Sequence, residues 1–390
     1  MRPILIRLHA WLGLLAGGVL TVVAVSGALY AFEPQLRIWW GEAVTPVDDA
    51  ESLRSPEALG AGLRAQGMEG EARWFLWPED RRLPAWVGWE TPAGDALDLM
   101  VDPVHGALLP RATAVHRFFR TVLDVHRALT LGETGRLIVG SATLILVAST
   151  LSGLFLGVRR WREARQVWFP KRRERATPVP RLRWRLWHRL IGAWATPWLL
   201  VVAATGLVWA FTWYANALKQ IGGPPRFSHA PTLVEPIAEG SLAWEALWQT
   251  ALATRTGNGA MRLMLPRGAD QPVRFEWSPP GALSAASRSR LFLHPQTAEV
   301  IEVQQLEEFS FGERLVRWAY PVHTGLIAGF WGQLGAALGS LTVPFFFASG
   351  IYLWRARRRT ARRATTLSKT QPQPSCFEST KSCPPRSAAS

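Results

Sequence analysis

The sequence predicts an integral membrane, α-helical protein: four transmembrane helices from a tandem duplication, with two small α+β periplasmic domains. Three observations lead there. Four apolar stretches, 9–32, 136–158, 189–213 and 332–354, reach the ~20 residues that cross a bilayer core and carry no charge in their interiors. The segments between the first two and the last two, 33–135 and 214–331, break short apolar runs with Pro and Gly, as strands and turns do. The chain also repeats itself: RLHAWLGLLAGGVLTVVAVSGALYAF at 7–32 returns as WHRLIGAWATPWLLVVAATGLVWAF at 187–211.

Placing His9 on His188 sets Gly13 on Gly192, Ser26-Gly27 on Thr205-Gly206, Tyr30 on Trp209 and Phe32 on Phe211, without a gap. Arg2, Arg7 and the small residues Ser26-Gly27-Ala28 resemble a cleavable signal peptide. The recurrence at 187–211, where cleavage would sever the chain, predicts instead a retained span over 1–32. In the first domain, 33–135, residues 51–66 read as an amphipathic helix. Strands follow in ARWFLWPED, PAWVGWET and DALDLMVDPVHGALLP. After the span at 136–158 comes a basic loop, 159–188, and then the span at 189–213. The second domain, 214–331, repeats the plan, with a helix over 238–254 and strands in AMRLMLPRG, QPVRFEWSPP and SRLFLHPQTAEVIEV. Aligning His126 with His323 carries the repeat into the spans at 136–158 and 332–354: Gly135 meets Gly332, Ser152-Gly153 meets Ser349-Gly350, and Arg160 meets Arg357. Such halves are parallel repeats about an axis along the membrane normal. The tail, 355–390, is basic and then rich in Ser, Thr, Pro and Gln. It is expected to be disordered beyond about Thr360.

A net charge of +15 and 21 Trp suit a membrane–water interface. Arg and Lys concentrate in 159–188 and in 355–363, which places both runs and both termini in the cytoplasm. The two large loops then face the other side, the periplasm of a bacterial inner membrane. Topology accounts for the basic runs, so lipid, not nucleic acid, is the expected partner. Cys376 and Cys383 match no metal or redox spacing. No nucleophile–base–acid set or nucleotide-binding glycine loop is present, and catalytic residues are not assigned.

The candidate site is built from histidines. His9 and His188 lie at the cytoplasmic ends of the first and third spans. His126 and His323 lie just before the second and fourth. Two imidazoles at equal depth on facing helices are what a bis-histidine haem needs. Gly13, Gly27, Gly153, Gly192, Gly206 and Gly350 are the small residues that would flank a flat macrocycle. The same residues also read as interfacial polar heads and helix-packing glycines. Duplication reduces four histidines to two independent positions, so spacing leaves both readings open. His116 is a reserve ligand in HRFFRTVLDVH, and His105, His229 and His294 read as loop polar groups.

The ordered set RLHAWLGLLAGG…SGALYAF, VHRALTLGETGRLIVG, LWHRLIGAWATPWLL…TGLVWAF and PVHTGLIAGFWGQLG…SGIYLWRARRR resembles the PepSY-associated transmembrane helix family, the iron-regulated membrane proteins, over about residues 1–360. The resemblance implies four helices with two PepSY-like periplasmic domains. It implies haem b, two groups, with His9, His188, His126 and His323 as axial ligands. It also implies an oxidoreductase that transfers electrons to a periplasmic acceptor such as a ferric siderophore; the electron donor stays unnamed. Reduction to Fe(II) weakens hard oxygen ligation and suits iron release. Arg111, Arg117, Arg120, Arg314 and Arg317 are candidates for attracting an anionic complex. The alternative is a non-enzymatic, membrane-anchored PepSY binding or regulatory module. A transporter fits less well, because the spans lack intramembrane charge.

Overall fold

The computed structural model describes residues 2–41, 44, 53–158, 165–169, 178–227, 230–233, 242–283 and 287–370. The first half of the chain gives α1 (Arg2–Tyr30), α2 (Glu33–Trp40), α3 (Pro56–Ala65), β1 (Glu71–Trp77), β2 (Ala85–Glu90), β3 (Ala96–Val101), α4 (Pro110–Ala128), α5 (Gly132–Gly157) and the single turn α6 (Arg165–Trp168). The second gives α7 (Pro180–Ala210), α8 (Thr212–Lys219), α9 (Trp244–Thr254), β4 (Met261–Met264), β5 (Val273–Trp277), β6 (Ser289–Leu293), β7 (Val300–Gln304), α10 (Phe311–Thr324) and α11 (Gly329–Thr370).

Helices α1, α5, α7 and α11 are long and apolar enough to cross a membrane, and the chain is a multi-pass membrane protein. They form a ring in which α1 and α7 each pack against both α5 and α11, so α1 and α7 are diagonal partners. The seam is built from Ala16, Leu20 and Ala24 of α1, Ala142 of α5, Ala195 and Leu199 of α7 and Val343 of α11. Small side chains bring the backbones close, which matters in lipid, where close packing replaces the hydrophobic effect as the driving force. Large apolar side chains such as Trp11, Leu15, Phe155, Trp194 and Trp331 point outward.

The helices overrun the apolar stretches. α1 starts at Arg2 and α7 at Pro180, a residue preorganised for a first helical turn. His9 and His188 therefore sit about two turns inside their helices, not at the ends. At the other terminus, α11 continues to Thr370, past the Thr360 where disorder was expected. Its Arg-rich extension has good helix propensity and prolongs the last span. Most of the basic stretch 159–177, His229, and residues 371–390 with both cysteines lie outside the described residues.

The strands depart from expectation in one large respect. The two loops do not build two separate domains. They share one seven-stranded antiparallel sheet of order β3-β2-β1-β4-β5-β6-β7. β1 pairs with β4 across the loops, with Phe75 opposite Leu263 and Trp77 opposite Met261. Apart, each half would leave one of these strands as an open edge of unpaired backbone groups. One core lies on one face: Phe75, Trp77, Val87, Trp89, Leu263, Phe275, Trp277 and Leu291, covered by Leu59 and Leu63 of α3 and Leu247 and Trp248 of α9. Trp77 of the first loop meets Trp248 of the second at 4.9 Å. The opposite face carries Trp86 and Asp98, covered by α4, and a charged group on β4 to β6.

Two sharp breaks set α4 and α10 at angles to the spans that follow. Between α4 and α5, Leu129, Thr130 and Gly132 have positive φ. Between α10 and α11, Gly325 and Gly329 do the same. A side chain at Gly135 would strike the Ala128 carbonyl, and one at Gly332 the Gly325 carbonyl. Both corners thus require glycine at the start of the span.

Candidate functional site: two histidine pairs

The diagonal helices α1 and α7 turn His9 and His188 toward each other, with ring centroids 6.3 Å apart and planes at 87°. At the sheet end of the bundle, α4 packs on α1 and α5, and α10 packs on α7 and α8. They bring His126 and His323 to 6.1 Å, with planes at 61°. Gly27, beside His126, is 18 residues along α1 from His9, so roughly 27 Å separates the two levels.

In all four histidines Nδ1 is engaged. His9 Nδ1 lies 3.0 Å from Ser152 Oγ on α5, and His188 Nδ1 lies 2.6 Å from Ser349 Oγ on α11. Each serine donates its own proton backward in its helix, Ser152 to the Ser149 carbonyl at 3.0 Å and Ser349 to the Phe346 carbonyl at 3.2 Å. Each must therefore accept from the imidazole. His126 Nδ1 meets the Val23 carbonyl at 2.8 Å. His323 Nδ1 meets the Val202 carbonyl and Thr205 Oγ1, both at 3.0 Å. The Thr205 hydroxyl donates to the Val201 carbonyl at 2.7 Å, so it too accepts. A carbonyl can only accept. The partners thus place the proton on Nδ1 and leave the Nε2 lone pair available in every ring, the arrangement that makes a neutral imidazole a metal ligand. Among the described residues no hydrogen bond engages any of the four Nε2 atoms.

Three glycines abut these rings. A methyl group at Gly27 would stand 2.6 Å from His126 Cε1; at Gly153, 3.1 Å from His9 Cε1; at Gly206, 3.1 Å from His323 Cε1. A methyl group at Gly192 would meet Phe346, at 3.9 Å, whose ring also lies 5.3 Å from that of His188. Gly13 and Gly350 face open space. Of the six glycines singled out in the sequence, Gly27, Gly153 and Gly206 lie against a ring and Gly13, Gly192 and Gly350 do not; the hydroxyls beside them were not assigned a role. Their signal was a Ser or Thr just before each of the four glycines 27, 153, 206 and 350. Ser26 is the exception, since it bonds only to the Val22 and Val23 carbonyls of its own helix.

His116 belongs elsewhere. It is buried against the sheet, with Nε2 3.4 Å from Asp98 Oδ2 and its ring 4.5 Å from Trp86. It is ten residues before His126, nearly three turns along α4. His105 pairs with Asp102 in its own turn, and His294 Nδ1 accepts the backbone N–H groups of Gln296 and Thr297. Among the described residues, no three His, Cys, Asp or Glu side chains converge. The chain thus offers pairs of imidazoles, which suit a cofactor that brings its own equatorial ligands.

A helical membrane bundle with a histidine pair near each end, beneath a single antiparallel sheet, defines the class. Residues 6–357 match the PepSY-associated TM region family, and the chain belongs to it. It is also 27% identical over 267 residues to a Pseudomonas aeruginosa protein described as the uncharacterized protein PA4219, covering 62% of this chain and 64% of that one.

Proposed function

We propose that this chain is a b-type haem protein of a bacterial inner membrane that passes electrons to an acceptor on the sheet side of the bilayer. His9 with His188 would hold one group, and His126 with His323 the other. Haem, when bound, supplies a one-electron iron couple. The observation that carries this reading is that an oxygen acceptor faces Nδ1 of all four rings, which leaves Nε2 as the ligating nitrogen. A second supports it: the two rings of each pair lie close together, with centroids 6.3 and 6.1 Å apart, so that one group could engage both. The protein's own work is to fix each tautomer through Ser152, Ser349, Val23, Val202 and Thr205, to keep water from the rings, and to hold the levels apart.

The finer reading places the sheet in the periplasm, with both termini cytoplasmic, and derives the two halves from a tandem duplication. The paired contacts His9–Ser152 and His188–Ser349 support the duplication. A ferric siderophore is the proposed acceptor. Detergent-purified protein should show the spectrum of non-covalent haem, since no C-x-x-C-H attachment motif occurs. Colourless protein from haem-replete cells, silent to dithionite, would instead favour the binding-module reading.

A further inference from the structure

The sheet face away from the aromatic core concentrates positive charge around one acid. Glu276 on β5 is buried, and the strand register sets it directly between Arg262 of β4 and Arg290 of β6. Arg274 Nε, Arg288 Nη1 and Arg290 Nε approach its carboxylate at 3.3, 3.3 and 3.7 Å. Arg317 of α10 joins from above: its guanidinium lies 3.7 Å from the centre of the Phe309 ring, which Arg290 also approaches at 5.8 Å. Five guanidinium groups thus share one carboxylate.

The neighbouring acids are committed. Asp98 meets His116 and Arg120, each at 3.4 Å. Glu313 accepts the backbone N–H groups of Ser310, Arg226 and Phe227 at 2.9, 3.1 and 3.2 Å. The Nε atoms of Arg262 and Arg314 are buried without a hydrogen bond, and Arg274 Nε has only the Glu276 carboxylate. Burial, with repulsion from Arg290, pushes the Arg317 guanidinium down to about 10. Packing cations together out of water is costly unless a counter-charge with matching acceptors is supplied. The side chains of Arg274 and Arg290 keep 31% and 30% of their surface exposed, so a solute can reach them.

We infer that this arginine cluster is a binding site for a small polyanion, whose carboxylate or phosphate oxygens engage the guanidinium groups of Arg274, Arg290 and Arg317. The planar fork of arginine matches such oxygens in bidentate fashion. Two or more negative charges are called for, because one monoanion would leave the cluster strongly positive. The site shares α10 with His323, six residues beyond Arg317, about 9 Å along the helix. The assignment does not depend on what the histidines hold.

The test is calorimetric titration of the full-length protein, in nanodiscs of phosphatidylcholine, with citrate and with inorganic pyrophosphate. At low ionic strength the protein should bind at least one, with affinity falling as salt rises. Arg290→Gln and Arg317→Gln should each weaken binding tenfold or more, while Arg64→Gln, on the helix that covers the opposite face of the sheet, should leave it unchanged. Glu276→Gln removes the competing carboxylate and should tighten binding; should that variant not fold, the two arginine variants decide. Nanodiscs containing cardiolipin, whose headgroup carries two phosphates, separate the sources: citrate binding lost there makes a lipid headgroup the ligand, and binding retained there makes it a soluble anion. No heat with either anion, or equal affinity in wild type, Arg290→Gln and Arg317→Gln, would overturn the site.

Discussion

Ser349 accepts the Nδ1 proton of His188 at 2.6 Å while giving its own hydroxyl proton to the Phe346 carbonyl. Rotating the serine hydroxyl would lose the bond to the Phe346 carbonyl. It therefore acts as a tautomer lock, as Ser152 does for His9. Ser349→Ala should leave the fold intact and weaken haem retention at the His9/His188 level by about 10–100-fold, the usual effect of losing a ligand's outer partner. Haem content after dialysis against apomyoglobin measures this. Retention equal to wild type would show that the lock is not needed.

Gly27 and Gly350 occupy comparable sequence positions but opposite surroundings. A methyl group at Gly27 would stand 2.6 Å from His126 Cε1, whereas Gly350 has open space. Alanine is favoured over glycine in a helix by about 1 kcal/mol. Gly350→Ala should therefore be neutral or slightly stabilising. Gly27→Ala should displace the His126 ring and remove the low-spin signal of that level alone. Equal spectra for the two variants would contradict the packing.

Acid should loosen the sheet. A hydrogen bond from His116, assisted by Arg120, holds the Asp98 carboxyl below its ordinary range, against the opposing effect of burial. A carboxyl depressed in the folded state contributes stability above its unfolded pKa of about 4 and loses it as pH falls through the folded value. Burial pushes Glu276 up, but Arg274, Arg288, Arg290 and Arg262 outweigh it and hold that carboxyl low as well. Thermal unfolding should therefore drop below pH 4. Asp98→Asn should lower the midpoint at pH 7 and flatten the acid limb. An unchanged acid limb in Asp98→Asn would place the acid sensitivity elsewhere.

Much of this geometry was legible because helices and strands impose periods on a sequence. The 18 residues from His9 to Gly27 match the thickness of a bilayer, so the glycine could be set at the far level before any contact was known. Short apolar or alternating runs such as ARWFLW and VRFEW marked strands, although the shared face of Phe75, Trp77, Phe275 and Trp277 was not assigned. What stayed hidden depends on long-range register. Nothing local says that Trp77 pairs with Met261 of the other loop, yet that pairing turns two expected domains into one sheet. The arginine cluster is hidden for the same reason: Arg262, Glu276 and Arg290 lie on three strands and meet only through their pairing. The role of the serines needed coordinates too, because a sequence shows a hydroxyl but not which ring nitrogen it meets.

The pairing of the histidines can be tested by additivity. If His9 and His188 serve one haem and His126 and His323 another, each His→Ala change should remove, or turn high-spin, about half of the haem signal. Two axial ligands act as a unit on one iron, so a second loss within a pair adds little, while losses at separate sites add. The structure sharpens the expectation, because His9 and His188 are 6.3 Å apart and His126 and His323 are 6.1 Å apart, with the levels at opposite ends of α1. His9→Ala/His188→Ala should thus resemble either single variant. His9→Ala/His323→Ala should retain almost no low-spin haem. His116→Ala, which removes a partner of Asp98 at the sheet, should leave the haem spectrum intact and lower the thermal midpoint. Haem content with electron paramagnetic resonance on these variants reads each outcome. Additive loss within His9/His188, or loss of low-spin signal in His116→Ala, would mean that the iron is held by a different set of side chains.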